Sequence, residues 1–415
     1  MRRALLILLA LTLTAMLGPA RAQSLSFAVG RAPAAAARPQ WKARIDHLTR
    51  GLNIGVSVAF NGDFIYGHAG KVRRRPASNQ KLLLSMALLD AFGPRARVPT
   101  YARARNVSGG VVSGRLWIAG RGDPSAVGAG PFARSLGIRP TYVGRLARRI
   151  AAAGIHRIKG RVMGSTGYFL RDWDAPGWLS HYQSLYIALP TALALNGNTA
   201  RGRHILDPER RFAAALTDRL EKLGVRVDGA PGAGPAPQGL SPVAAVRSAP
   251  LKKLMRHMNR RSSNFFAEML GKRLAAERYG PPGSIAAGAR AIAAWARGNG
   301  VTIESHDSSG LSHANHVSAR GITRLLEVAG NSPWGEALRR SLPGGGQGTL
   351  EDRLGSVALR AKTGTLENVS ALSGWIWLQR RDHWAQFSIL SSGTSKEHAV
   401  EVENAIVRTL SLSAR

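Results

Sequence analysis

The sequence predicts an α+β protein whose main domain is interrupted by an insertion. Three observations carry this. Asn61-Gly62 separates two β-rich runs near the start, a strong hairpin signal. Near the end, Ala371 to Leu378 and Trp384 to Leu390 flank Arg380-Arg381-Asp382 as a second hairpin. Between Gly93 and about Ala245, short strand-like pieces alternate with amphipathic helices, a different grain from either end. The expected organisation is 1–22 as a signal peptide, 23–93 and 246–415 as two parts of one domain, and 94–245 as the inserted, mixed α/β domain.

Arg2 and Arg3 form a basic start, Ala4 to Leu17 is apolar throughout, and Ala20-Arg21-Ala22 supplies a small-x-small cleavage pattern. That apolar run is too short to span a ~30 Å hydrocarbon core, so it reads as a signal peptide and not an anchor. Export to a periplasm or to the extracellular cell-wall space is expected. Arg31 to Pro39 is a Pro/Ala leader. Trp41 to Arg50 reads as a short helix, Ile54 to Phe60 and Phe64 to Tyr66 as the first hairpin, and Ala77 to Phe92 as a buried helix ended by Gly93-Pro94. In the middle, Arg115 to Ala119 and Arg157 to Met163 read as strands. Tyr142 to Ala153 and Arg211 to Leu223 read as helices, the latter with Phe212, Leu216, Leu220 and Leu223 on one face. Two helices then flank Arg260 to Ser263, a third spans about Ser284 to Asn299, a strand runs through Lys362, and Glu397 to Leu410 closes the chain.

The 415 residues hold 58 Lys+Arg against 24 Asp+Glu, a formal charge of +34, with 48 arginines and no cysteine. The missing thiols exclude cysteine nucleophiles, Cys-ligated zinc and iron–sulfur clusters. The arginine excess reads either as a compositional habit or as attraction to an anionic envelope polymer. It forms no long basic run, and with an export signal this argues against a nucleic-acid partner.

Ser78 sits at the expected start of the buried helix, and Lys81 follows one turn later on the same face. A serine hydroxyl needs a neighbour to take its proton. Lysine can do so only when neutral, which requires its pKa to fall from ~10.4 to ~7–8 by burial or like-charge repulsion. Taken alone, Ser-x-x-Lys is common by chance and reads as an N-cap serine with a snorkelling lysine. Two later elements change that reading. Ser262-Ser263-Asn264 lies at a break between helices, and Lys362-Thr363-Gly364-Thr365 lies in a strand, with Gly364 sparing a ligand a side-chain clash. In this order the three form the motif set of penicillin-binding proteins and serine β-lactamases.

The chain further resembles the D-alanyl-D-alanine carboxypeptidase/endopeptidase family of low-molecular-mass, class C penicillin-binding proteins. Matching stretches are PASNQKLL, LWIAGRGDPS, ALALNGNT, RSSNFFAEML, HDSSGLS and GQGTLEDRL followed by RAKTGTLENVSALSGW. The resemblance implies a β-lactamase/transpeptidase-like catalytic domain, an antiparallel sheet flanked by helices, split between the first two motifs. It implies a cofactor-free serine peptidase acting on peptidoglycan stem peptides and acylated by β-lactams. Ser78 would be the nucleophile, Lys81 its base, Ser262 a proton relay and Asn264 a holder of the substrate amide. Lys362 would keep the site electropositive and help depress the pKa of Lys81. Thr363 and Thr365 would hold the terminal carboxylate, and the N–H groups of Ser78 and Thr365 would form the oxyanion hole. Ser263 stands where many relatives carry Asp. Rival readings are a β-lactamase or esterase with the same residues, and a non-catalytic wall-binding protein.

Other candidates are weaker. His313, His316 and His306 lack an acidic ligand pattern, so no metal is expected, and Gly344 to Gly348 lacks the G-K-[ST] ending of a phosphate loop. Asp172 and Asp174 are either solvated loop acids or carboxylates that meet the amino group of a diamino-acid stem peptide.

Overall fold

The computed structural model describes residues 39–412, and the expected signal peptide lies outside the described residues. Five antiparallel strands form the central sheet, in the order Leu359–Leu366, Val369–Leu378, His383–Ser392, Ile54–Phe60 and Asp63–His68. Asn61 and Gly62 both take positive φ, 50° and 89°, which is why Asn-Gly closes the first hairpin. The second expected hairpin also forms, with longer strands and a tight turn at Gln379–Arg381.

Each face of this sheet carries its own apolar core. On one face Val56, Leu372 and Phe387 pack with Ile45 of the helix Gln40–Thr49 and Ile406 of the helix Lys396–Leu412. On the other, Ala371, Trp375 and Leu390 meet a helical layer that includes Gln80–Phe92, Leu251–Arg261, Asn264–Tyr279, Ile285–Gly298 and Ala319–Gly330. The helix Gln80–Phe92 is apolar almost all round because it lies inside that layer: Leu82, Leu83, Leu84 and Leu88 are fully buried.

The middle of the chain builds a mixed sheet, ordered Gly232–Pro235, Val162–Thr166, Leu116–Gly120, Pro99–Ala104 and Ser241–Arg247. Its first pairings are parallel and its last antiparallel. Helices Val143–Ala152 and Pro208–Glu221 cover it through Leu146, Ile150, Phe212 and Leu216. The catalytic-type fold is thus split by an inserted mixed α/β region, and the strand that closes the inserted sheet runs to Arg247, past the expected junction at 245.

Several elements differ from expectation. Leu223 lies beyond its helix and is exposed, because the helix ends at Glu221 and the chain turns through Gly224 at φ 82°. Arg157 to Met163 is two strands, Arg157–Ile158 and Val162–Thr166, in two different sheets. The helices Ala319–Gly330 and Gly335–Ser341 were not anticipated, although Ser318 caps the first through Gly321 N–H at 3.0 Å. Among the described residues no helix is long and apolar enough to cross a membrane.

Candidate active site

Ser78 does not cap the helix. It stands in a 3₁₀ turn, Ala77–Asn79, that leads into Gln80–Phe92 and whose hydroxyl makes no capping bond. The neighbouring polar side chains fix this turn from two sides. Asn79 Nδ2 donates to Ser373 Oγ on the central sheet at 2.8 Å, and Gln80 Nε2 donates to Ser305 Oγ at 2.7 Å and to the Asp307 carbonyl at 3.1 Å. Neither residue stood out in the sequence. Their signal was two amides inserted before an apolar helix that has no other use for them.

Lys81 is fully buried, with Nζ 2.9 Å from Ser78 Oγ. It donates to Asn264 Oδ1 at 2.8 Å and to the Ser309 carbonyl at 2.5 Å. Burial pulls its pKa down to about 7, against the upward pull of the Asp307 and Glu268 carboxyls. A neutral amine has two N–H bonds and one lone pair. With both N–H bonds engaged by Asn264 and Ser309, the lone pair is left for the Ser78 hydroxyl, the arrangement a general base needs. The Ser309 carbonyl is a component that sequence reasoning missed, since a backbone acceptor leaves no residue-type signature.

The second motif is a helix junction. Ser262 takes a left-handed conformation, φ 52°, ending Leu251–Arg261. Ser263 caps the next helix, accepting from Phe266 N–H at 3.3 Å. Serine is among the preferred N-cap residues, as aspartate is, so Ser263 fills the capping role at this junction. Asn264, first in that helix, also donates to the Tyr186 carbonyl at 3.2 Å.

The third motif lies on the edge strand Leu359–Leu366. Lys362 is fully buried and donates to Ser262 Oγ at 2.9 Å and to the Thr363 carbonyl at 2.7 Å. Burial and the adjacent Lys81 hold its pKa well below the usual lysine value. For Lys81 the dominant cause is burial, and the help expected from Lys362 is not among the causes that shift it. Thr363 Oγ1 donates to Thr349 Oγ1 at 2.7 Å, while Thr365 is exposed on the site side. Gly364 spares a contact with protein and not with a ligand. A Cβ there would meet the Pro76 carbonyl at 2.8 Å and the Ala77 and Ala371 methyls at 3.1 Å.

A cavity of about 740 Å³ opens beside Ser78, Ser262 and Asn264, walled by Tyr182, Tyr186 and Glu367 among others. Asp172 and Asp174 are not among its lining residues. Asp172 Oδ1 pairs with the buried Lys272 at 2.6 Å and its Oδ2 accepts from Ile285 N–H at 2.7 Å, so both oxygens are committed. Asp174 is exposed. The carboxylates that reach the cavity are Glu367, in the turn after the third motif, and Glu397. Among the described residues no group of His, Asp or Glu stands together as metal ligands do, and His313 instead shares a 2.9 Å hydrogen bond with Tyr182.

An antiparallel sheet with a serine turn, a buried lysine and a lysine-bearing edge strand around one cavity defines the penicillin-binding class of serine peptidases. The chain belongs to the D-Ala-D-Ala carboxypeptidase 3 (S13) family, whose model matches residues 44–204 and 200–412. It is 26% identical to the D-alanyl-D-alanine carboxypeptidase of Actinomadura sp. (strain R39), over 87% of this chain and 81% of that one. Carboxypeptidase DacB of Mycolicibacterium smegmatis is 28% identical over 86% and 80%. In three dimensions the chain is similar to penicillin binding protein 4 (dacB) of Haemophilus influenzae, with a TM-score of 0.73 and 20% identity over 88% of this chain and 99% of that one. That protein has also been solved complexed with a β-lactam.

Proposed function

We propose that this protein is a serine DD-peptidase of peptidoglycan stem peptides, with Ser78 as nucleophile and Lys81 as general base. The observation that carries the reading is the Lys81 amine, held by Asn264 and Ser309 with its free lone pair toward Ser78. Ser78 Oγ attacks the carbonyl carbon of the D-Ala-D-Ala amide while its proton passes to Lys81. The N–H groups of Ser78 and Thr365 take the oxyanion. The tetrahedral intermediate expels the terminal D-Ala amine, which receives a proton through Ser262, hydrogen-bonded to Lys362. Water then hydrolyses the acyl-serine ester, releasing the shortened peptide. Thr363 and Thr365 receive the substrate's terminal carboxylate near Lys362. A β-lactam follows the first half of this path, but its amide nitrogen stays tethered after the ring opens, so the acyl-enzyme persists. The division at 94–245 is supported by the origin of these groups: Ser78 and Lys81 precede the insertion, and Ser262, Asn264 and Lys362 follow it.

Cleavage of D-Ala-diamino-acid cross-links is the finer part of the reading, and its support lies in the cavity. The chain has 48 arginines, yet none lines this cavity, where Glu367 and Glu397 outnumber one lysine, Lys396. Such a wall suits a substrate that carries a free ammonium. Purified muropeptides of known cross-linking, with products identified by mass, test both parts. The parent should release D-Ala and open cross-links, and Ser78→Ala should do neither while remaining folded. Glu367→Gln should lower turnover of ammonium-bearing substrates several-fold more than of their N-acetylated forms. Cleavage by Ser78→Ala would remove Ser78 from the reaction.

A further inference from the structure

Among the buried residues of the helix Asn264–Tyr279, Glu268 and Lys272 are charged and the rest are apolar. Asn264, Glu268 and Lys272 recur at every fourth position and so share a face. Asn264 holds Lys81 and Lys272 holds the Asp172 segment. Glu268, between them, is fully buried and has no part in the chemistry described above. Its Oε1 accepts two consecutive backbone donors, Ser308 N–H at 3.0 Å and Ser309 N–H at 2.7 Å. Its Oε2 is buried without a hydrogen-bond partner.

The peptide unit that Glu268 grips belongs to the turn whose carbonyl, Ser309 O, accepts from Lys81. The other end of the turn is fixed by Asp307, which takes Gly310 N–H and Asn315 Nδ2 on one oxygen and Trp178 Nε1, Ser309 Oγ and Ser312 N–H on the other. Gly310 then packs so closely that a Cβ would overlap the Ala77 carbonyl, one residue before Ser78. The turn is therefore registered against nucleophile and base at once.

We propose that Glu268 is a positioning residue for acylation, holding the Ser308–Ser309 backbone so that the Ser309 carbonyl aims the Lys81 lone pair at Ser78. The proposal rests on the assignment of Ser78 and Lys81 made above. An ionised carboxylate would leave a charged oxygen buried and unpaired at Oε2, so the carboxyl works in its neutral form. Burial and the neighbouring Asp307 both push it that way, to a pKa of about 8. The charged groups around it are Asp307 on the turn, Lys81 on the helix Gln80–Phe92, and Lys272 one turn further along the helix of Glu268, itself paired with Asp172. Lys362 lies beyond Lys81. When Glu268 and Lys81 share one proton fewer than their full complement, two arrangements compete. Neutral lysine with neutral Glu268 is active, and lysine ammonium with Glu268 carboxylate is not.

Glu268→Gln keeps the acceptor and removes the second arrangement, whereas Glu268→Ala removes the grip. The test is the rate of penicillin acylation against pH, followed by intact mass, with Ser78→Ala beside the two variants. Glu268→Ala should acylate at least tenfold more slowly than the parent, and Gln should rescue most of that loss. In the Gln variant the acidic limb of the profile should move to lower pH, because no carboxylate remains to hold the lysine proton. A purely structural role would leave that limb in place. Adduct on Ser78→Ala would overturn the assignment of Ser78 itself. An adduct confined to chains that keep Ser78, with an unmoved limb in Gln, would overturn the Glu268 proposal alone. That limb also decides the matter where Glu268→Ala does not fold.

Discussion

At the scale of single residues, the site is organised around keeping lysines neutral, and that has a cost in stability. Lys81 titrates at about 7 in the folded chain and near its ordinary 10.5 when unfolded. Between those values the unfolded chain binds more protons, so this group makes stability rise with pH across about 7 to 10.5. Glu268 has the opposite sign: raised from 4.5 to about 8, it makes stability fall across that window. Each pKa unit is worth about 1.4 kcal/mol, so both slopes are measurable. Lys81→Met should therefore show its most favourable melting temperature, relative to the parent, at pH 6, and lose that advantage steadily toward pH 10. Differential scanning calorimetry at several pH values checks this, and a constant difference would mean that Lys81 is not held neutral. The three motifs stood out in the chain because Ser-x-x-Lys, Ser-x-Asn and Lys-Thr-Gly are unusual in ordered company. Ser309 and Glu268 could not. One acts through its backbone, and the other reads as an ordinary helical glutamate until the i, i+4, i+8 line is seen beside its apolar neighbours.

Among elements, the close seat of the strand Leu359–Leu366 against the serine turn is the contact most sensitive to volume. Gly364→Ala should force the strand away from Pro76 and Ala77, costing about 1–3 kcal/mol as an overpacked contact. Since the same strand carries Lys362 and Thr365, acylation should slow at least tenfold even where the variant remains folded. Circular dichroism melts paired with penicillin labelling separate the two effects, and unaltered labelling would show that the strand need not sit so close. Hairpins and long helices were legible because Asn-Gly turns and 3.6-residue periodicity are local signals. The mixed sheet of the middle was legible only in outline. Its strands are short, several of only two residues, and their partners are fixed by distant segments that leave no mark nearby.

For the molecule as a whole, the charge balance of +34 contrasts with a cavity whose lining holds Glu367 and Glu397 against one lysine, Lys396, and no arginine. A large excess of cations attracts polyanions in general. Retention on purified wall material should then fall steeply as salt rises, because exposed charges are screened beyond ~8–10 Å near physiological ionic strength. Binding indifferent to salt would leave the arginine excess as a matter of composition. Penicillin labelling of Ser78, which depends on the fully buried Lys81, should change far less over the same salt range.

The order of strands in the central sheet also governs when the protein can first act. Ile54–Phe60 lies between Asp63–His68 and His383–Ser392, so the second strand neighbour of this segment leaves the ribosome long after it. Until it arrives, the first hairpin has one edge unpaired, and the strand bearing Lys362 and Thr365 has no sheet to join. Such distant pairings form slowly and late. A growing chain carries Ser78 and Lys81 well before that strand, yet holds them without a site. Wall-cutting activity is thereby withheld from every incomplete copy, by topology and without an inhibitor.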